Sequence, residues 1–143
     1  MKKIAQGTDG IIYNLNNQVI KIYKNEKNPN YKLNELLKLI DPNRNYFMWY
    51  EIIDEKTVKM SLLNNISDSK KLTKNQYRHL KKAMEILNEN KISHGDLPDN
   101  VMLNINTNLP IIIDFDKGKI NANDLELMID RIAFLTYFST QKN

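Results

Sequence analysis

Ser93-His94-Gly95-Asp96-Leu97-Pro98-Asp99-Asn100, running on through Val101-Met102-Leu103 to Ile111-Ile112-Ile113-Asp114-Phe115-Asp116, is the stretch on which the reading of this chain turns. Two short apolar runs flank Asn104 to Leu109, whose turn chemistry predicts an antiparallel strand pair. Such a pair brings the chain back to where it started, so Asp114 is expected beside Asp96 and Asn100, although it lies 18 positions after Asp96. Gathered in that way, Asp96 suits the orienting of a hydroxyl group. Asn100 and Asp114 suit a hard cation such as Mg²⁺, which takes oxygen donors and keeps some of its water. Taken alone, Asp96 to Asn100 reads more readily as a polar turn, and Asp114 as the end of a buried strand.

Outward from this stretch, the apolar period is helical on both sides. Lys74 to Asn90 sets Tyr77, Leu80, Met84 and Leu87 on one stripe, widened by Ala83 and Ile86. Asn123 with Glu126 three positions on resembles a capping box, and Leu125, Met128, Ile129, Ile132 and Leu135 carry the stripe of a terminal helix. The first sixty-odd residues have a different rhythm. Residues 4–13 and 18–23 alternate as strands around the polar turn Asn14 to Asn17, and Tyr46 to Ile53 and Thr57 to Leu63 follow as two more. Between these pairs, Leu33, Leu36, Leu37 and Ile40 predict one short helix that Asp41-Pro42 stops. The expected fold is α+β: one domain over residues 1–143, a small sheet with one helix over about 1–64 and a helix-rich part over about 65–143.

Composition excludes several function classes. The chain of 143 residues is 41% hydrophobic and 27% charged, and it contains no Cys, which removes disulfides, thiolate metal sites and thiol nucleophiles together. No apolar run approaches the ~20 residues that a membrane helix needs, so no membrane partner is expected and the cytoplasm is the default location. The net charge of +4 comes from Lys residues interspersed with Asp and Glu, with no dense basic run beside a cluster of aromatic residues, which argues against a nucleic-acid partner.

The His94-Gly95-Asp96 to Asn100 segment and Asp114-Phe115-Asp116 together resemble the catalytic loop and metal-binding segment of protein kinases and related phosphotransferases, and their spacing is similar to that family's. The His-Gly-Asp form is also that of aminoglycoside phosphotransferases and several small-molecule kinases. The resemblance implies a bilobal fold, ATP and Mg²⁺ as cofactors, Asp96 as the catalytic carboxylate and Asn100 with Asp114 as metal ligands. It extends over most of the chain in order. Gly7-Thr8-Asp9-Gly10 resembles the second half of the glycine-rich loop over the nucleotide phosphates. Lys21 stands where the family carries its phosphate-pairing lysine, sharing a strand face with Val19 and Tyr23, and Glu35 is its expected ion-pair partner with Glu26 as the fallback. Met60 to Asn64, with Met60 at the gatekeeper position and Leu62 in the hinge, resembles the adenine-binding segment. Asp124 resembles the helix aspartate that braces the catalytic loop, and His94 is expected to pack behind that loop. Each has a plainer reading: Lys21 as an exposed strand lysine, Glu35 as a surface residue, Met60 as core filler, Asp124 as an acid in a first helical turn.

Departures from the family shape the expected function. Asp96 to Asn100 is one residue shorter than the family's spacing, and the lost position is that of a Lys or His beside the transferring phosphate. Asp116 replaces a Gly, and few residues separate it from Asn123, so no long activation segment is expected. Truncation of this kind resembles minimal kinases that bacterial pathogens inject into host cells, the ubiquitin-activated effectors among them, and kinase-like proteins of large DNA viruses. The expectation is an ATP- and magnesium-dependent Ser/Thr protein kinase acting on a protein substrate, with a host protein as substrate or activating partner and the host cytoplasm as its location if it is an injected effector or a viral protein. A small-molecule kinase of the aminoglycoside or choline type, and a pseudokinase serving as a binding module, are the alternatives.

Overall fold

The computed structural model describes residues 2–6, 10–16, 18–24 and 30–141. Ten strands and three helices follow in an α+β order. Strands β1 (Lys2–Gln6), β2 (Gly10–Leu15) and β3 (Gln18–Tyr23) lead to helix α1 (Tyr31–Ile40), then to β4 (Glu51–Ile52) and β5 (Thr57–Ser61). These strands make an antiparallel sheet in the order β1-β2-β3-β5-β4. Where alternation predicts one strand over 4–13, there are two, joined through residues 7–9.

The second part holds β6 (Leu63–Asn65), β7 (Lys71–Leu72), α2 (Lys74–Glu89), β8 (Val101–Asn104), β9 (Pro110–Ile112), α3 (Asp124–Tyr137) and β10 (Ser139–Thr140). The predicted strand over 57–63 divides at Leu62. Residues beyond it leave the large sheet and pair with β8 in a three-stranded antiparallel sheet, β6-β8-β9. The expected hairpin is therefore present, and Asn104 turns it by accepting the amides of Asn106 and Thr107 on its side-chain oxygen. A short parallel pair, β7 with β10, ties the end of the chain to the approach to α2.

Tyr46 to Ile53 alternates like a strand, yet only Glu51–Ile52 is one. Side chains satisfy the amides that a ladder would otherwise take up. Asp41, buried at the end of α1, accepts the backbone N–H groups of Asn45, Tyr46 and Phe47 at 2.8–2.9 Å. Asn34 takes the N–H of Tyr50 and donates to its carbonyl. Phe47 then reaches the second sheet through a single parallel bridge to Ile112.

The main core crosses this junction. Leu33 and Leu37 from α1 pack with Phe47, with Leu80, Ala83 and Leu87 from α2, with Ile92, Val101, Ile112 and Phe115, and with Phe134 and Phe138 at the end of the chain. Tyr23, Tyr50 and Val58 form a smaller cluster on the large sheet. Both capping boxes are formed, Thr73 with Gln76 on α2 and Asn123 with Glu126 on α3.

One expectation inverts. The stripe Leu125, Met128, Ile129, Ile132 and Leu135 points outward, each residue at least 53% exposed, and α3 is held instead through Asp130 and Phe134. Both faces of this helix are apolar, so periodicity alone did not distinguish them.

Candidate functional site

The hairpin β8–β9 holds together the two segments that carry the candidate carboxylates. Val101 pairs with Ile112, and the amide of Ile113 donates to the carbonyl of Asn100 at 2.9 Å, so Asp114 emerges next to the end of the loop that begins at Asp96. His94 fastens the same place from behind. It is fully buried, its Nε2 donates to the Ile113 carbonyl at 2.7 Å, and its Nδ1 accepts the amide of Asp96 at 3.1 Å. These partners fix the tautomer with the proton on Nε2. Phe115 lies edge-on to the His94 ring, centroids 4.7 Å apart, and to Phe47 at 5.8 Å. His94 is thus a packing residue, as expected.

The brace beneath the loop is Asp130, not Asp124. Its two carboxylate oxygens accept the amides of His94 at 2.6 Å and Gly95 at 3.1 Å, and it is only 4% exposed. Asp124 is exposed in the first turn of α3, one and a half turns away along the helix, where an acid has a sufficient reason in the helix dipole. Gly95 itself has φ +82, and a Cβ there would come 3.0 Å from the carbonyl oxygen of Lys117. A side chain would be strained in conformation and crowded by the segment that closes over it. That segment is pinned by the bridge between Ser93 and Lys119.

Within the loop, the Leu97–Pro98 peptide is cis. Asn100 reaches Asp96 despite the missing residue: its Nδ2 donates to the Asp96 carbonyl at 2.9 Å and to Oδ2 at 3.1 Å. The amide nitrogen is thereby committed to Asp96, and the amide oxygen is the atom of Asn100 suited to a cation. Lys117 brings its Nζ to 3.8 Å from Asp96 Oδ2. Nothing in the sequence pattern singled out Lys117, because only the turn after Phe115 folds it back over Gly95.

Asp114 adopts φ +55, in the left-handed region, and its Oδ1 accepts the amide of Asp116 at 3.3 Å. Asp116 turns toward the large sheet, where Lys21 Nζ lies 3.5 Å and the Tyr23 hydroxyl 3.2 Å from its Oδ2. Burial pushes the Asp116 carboxyl above its ordinary range, the neighbouring Asp114 charge adds to that, and Lys21 opposes it. Burial, with the Asp116 charge second, also raises the Tyr23 and Tyr50 phenols. A cavity of only about 10 Å³ lies against Asn34, Tyr50, Phe115 and Asp116.

Lys21 is not the exposed strand lysine of the plainer reading. Its side chain is 12% exposed and lies 4.6 Å from the Tyr23 ring centroid. Its ion pair is with Asp116 and not with Glu35, because Leu33, Asn34 and Leu37 form the inward face of α1 and Glu35 is exposed. Glu26 lies outside the described residues, as do Gly7, Thr8 and Asp9. Gly10 opens β2 opposite Tyr23, and a Cβ there would collide with the Ile22 carbonyl, so close strand pairing accounts for this glycine without any phosphate. Met60 is half-buried opposite Val19 at the far end of β3 from Tyr23, and half-buried Leu62 joins the two sheets.

The donor set fits a magnesium–nucleotide complex in kind: the Asp114 and Asp116 carboxylates repel one another, Lys21 pairs with Asp116, and the loop tied to them by the hairpin carries the Asn100 amide. Among the described residues no group of three or more His, Cys, Asp or Glu side chains gathers closely enough to hold a metal unaided. Mg²⁺ usually takes one or two carboxylates and completes its shell with phosphate oxygens and water. Of two larger concavities, the second borders the Asp96–Asn100 loop itself. One of about 270 Å³ runs between α2 and α3 along Met84, Leu87 and Phe134, and one of about 290 Å³ lies beside Pro98, Asp99 and Phe138. A scan against models of known protein families returns no match, and a search of curated proteins returns none either.

Proposed function

We propose that this chain is a minimal phosphotransferase with a reduced bilobal protein-kinase-like fold, using ATP and Mg²⁺ to phosphorylate Ser or Thr hydroxyls of a protein in the cytoplasm. The observation that carries this reading is the meeting of Lys21, from the large sheet, with the Asp114 to Asp116 segment, 95 residues later. That segment is in turn anchored to the Asp96–Asn100 loop by β8–β9 and His94. A cation and neighbouring carboxylates are therefore linked through one hairpin to a separate loop carboxylate, and these are the group types that phosphoryl transfer asks of a protein.

Each residue has a role in that reading. Asp96, fixed by Asn100 and by the His94 ring, orients the attacking hydroxyl and accepts its proton. Lys21 neutralises phosphate oxygens. Asp114 and the amide oxygen of Asn100 hold the metal, which would supply charge neutralisation where the transferred group develops negative charge. Lys117 adds a positive charge beside Asp96, close to the position that the shortened loop lacks. Leu62, where the chain leaves the large sheet, offers backbone groups to an adenine edge, with Met60 behind it.

The test is transfer of labelled phosphate from ATP·Mg²⁺ to proteins of a lysate, by the wild-type chain and by Asp114→Asn. Label on protein bands that is lost in the variant supports the reading, and label confined to small molecules points to a small-molecule kinase. Equal silence from both proteins, with no rise in melting temperature on adding ATP·Mg²⁺, would leave a non-catalytic binding module.

A further inference from the structure

We infer that Asp116 is the positioning residue for Lys21, so that this chain orients its phosphate-binding lysine from the carboxylate loop and not from helix α1; the inference deepens the phosphotransferase reading and rests on it. Three independent sets of contacts lead to it.

Helix α1 has no freedom to present Glu35. Leu33 and Leu37 are at most 1% exposed, and Asn34 between them donates to the Tyr50 carbonyl at 3.0 Å and accepts its amide at 2.7 Å. That double bond to a fixed strand-like segment sets the rotation of the helix about its axis. Glu35, the next residue, stands about 100° further round and faces water.

Asp116, by contrast, is built into place. Phe115 before it is buried against His94 and Phe47. Gly118 after it closes the turn through its amide onto the Phe115 carbonyl at 2.9 Å, and Asn30 donates to the Gly118 carbonyl at 2.9 Å. The Tyr23 hydroxyl, on the same strand face as Lys21, donates to the oxygen that Lys21 approaches. The Asp116 side chain is 32% exposed, and Lys21, itself 12% exposed, is the cation that meets it.

Lys21 itself has an apolar bed. Val19 and Tyr23, on the same face, are 7% and 3% exposed, so the stem of Lys21 lies among apolar side chains with its ammonium group at Asp116. Lysine and metal-binding carboxylate thus belong to one rigid unit, bolted through His94 to the Asp96 loop. Displacement of α1, a means by which kinases are switched, would not by itself take away the partner of Lys21 here, since Asp116 is not on that helix.

The pairing can be read on the full wild-type chain without nucleotide. A water-soluble carbodiimide joins an amine to a carboxylate only when the two are in contact, and peptide mass spectrometry should then find Lys21 joined to Asp116. A Lys21–Glu35 product in its place would overturn the inference. As a second measurement, acylation of Lys21 by an amine-selective reagent should quicken severalfold in Asp116→Asn, return toward the wild-type rate in Asp116→Glu, and stay unchanged in Glu35→Gln. Asp116→Asn should fold, since it removes a carboxylate that burial disfavours. The opposite pattern, with Glu35→Gln faster and Asp116→Asn unchanged, again overturns it. In the transfer assay Asp116→Asn should raise the KM for ATP about tenfold and change kcat much less, the split expected when a binding contact is lost with little effect on the chemical step. If the cross-link and acylation results hold but ATP·Mg²⁺ never slows Lys21 acylation, the pairing stands and the nucleotide reading is what fails.

Discussion

Asp130 lies on the inward face of α3, between exposed Ile129 and exposed Arg131, and carries more of the candidate site than its surroundings suggest. Its two oxygens take both backbone amides at the start of the loop that holds Asp96. Removing them leaves the buried His94 amide without a partner, at a cost of roughly 1–3 kcal/mol, and frees the more exposed Gly95 amide to water. Asp130→Ala is therefore expected to lower stability in urea unfolding by about 1–3 kcal/mol and to loosen the Asp96 loop. Asp124→Ala should cost no more than ~1 kcal/mol, the size of a charge at an exposed helix N-terminus. Equal effects of the two would sink the assignment of the brace. The error in reading Asp124 as the brace has a physical origin. Its place relative to the Asp114 segment fitted a familiar order of residues, but which acid on α3 faces inward depends on the rotation of the helix, and that is set by Phe134 packing against Tyr77 and Phe138. Asp96, Asn100 and Asp114 were legible because a short hairpin fixes their relation locally. The Lys21–Asp116 pair was not, because it joins segments 95 residues apart that no local element brings together.

At the scale of the element, α3 shows how composition can conceal a face. Apart from exposed Leu39 on α1, the helices α1 and α2 have polar outer surfaces, so their apolar stripes name their buried sides, and Leu33, Leu37, Leu80 and Leu87 are buried as their spacing requires. The outer stripe of α3 from Leu125 to Leu135 has the same spacing, yet its members stay more than half exposed, while Phe134 is 4% exposed and packs on Tyr77 at 5.2 Å. Burial, not hydrophobicity, sets the energetic difference. Phe134→Ala should cost about 3–5 kcal/mol through lost contacts and the cavity left behind. Ile129→Gln should stay within about 0.5 kcal/mol, as for substitutions away from any packed feature. Urea denaturation of the two variants measures both. A large loss in Ile129→Gln at low protein concentration would mean that the stripe is packed against another part of the protein.

Across the whole molecule, the division between a strand-rich first part and a helix-rich second part is real in the order of elements, with the change of sheet at Leu62. It is not a division of the core, since Leu33 and Leu37 of α1 pack in the same cluster as Leu80, Leu87 and Phe134. Phe47 bridges to Ile112, Met48 donates to the Ile112 carbonyl, and the Tyr46 carbonyl accepts the Ile112 amide. A shared core and shared backbone bonds imply that neither part unfolds alone under equilibrium conditions, as small single domains usually behave. Trp49 gives a means of checking this from the junction itself. Its indole donates to the Asp41 carbonyl at 2.8 Å and its ring lies 3.9 Å from the Arg44 guanidinium, so its fluorescence reports the region where α1 meets the strands. Far-UV circular dichroism reports chiefly the helices, of which α2 and α3 belong to the second part. The urea midpoints seen by the two probes are expected to coincide. Strand β1 is the exception that the packing itself foretells: all five of its residues are exposed and it pairs on one side only, so its amides should exchange with solvent far faster than those of Ile112 or His94, which open only with the whole core. Separate midpoints, with the Trp49 signal lost first, would show that the sheet and α1 can come away from the hairpin, and Lys21 would then leave Asp116 before the Asp96 loop itself unfolds.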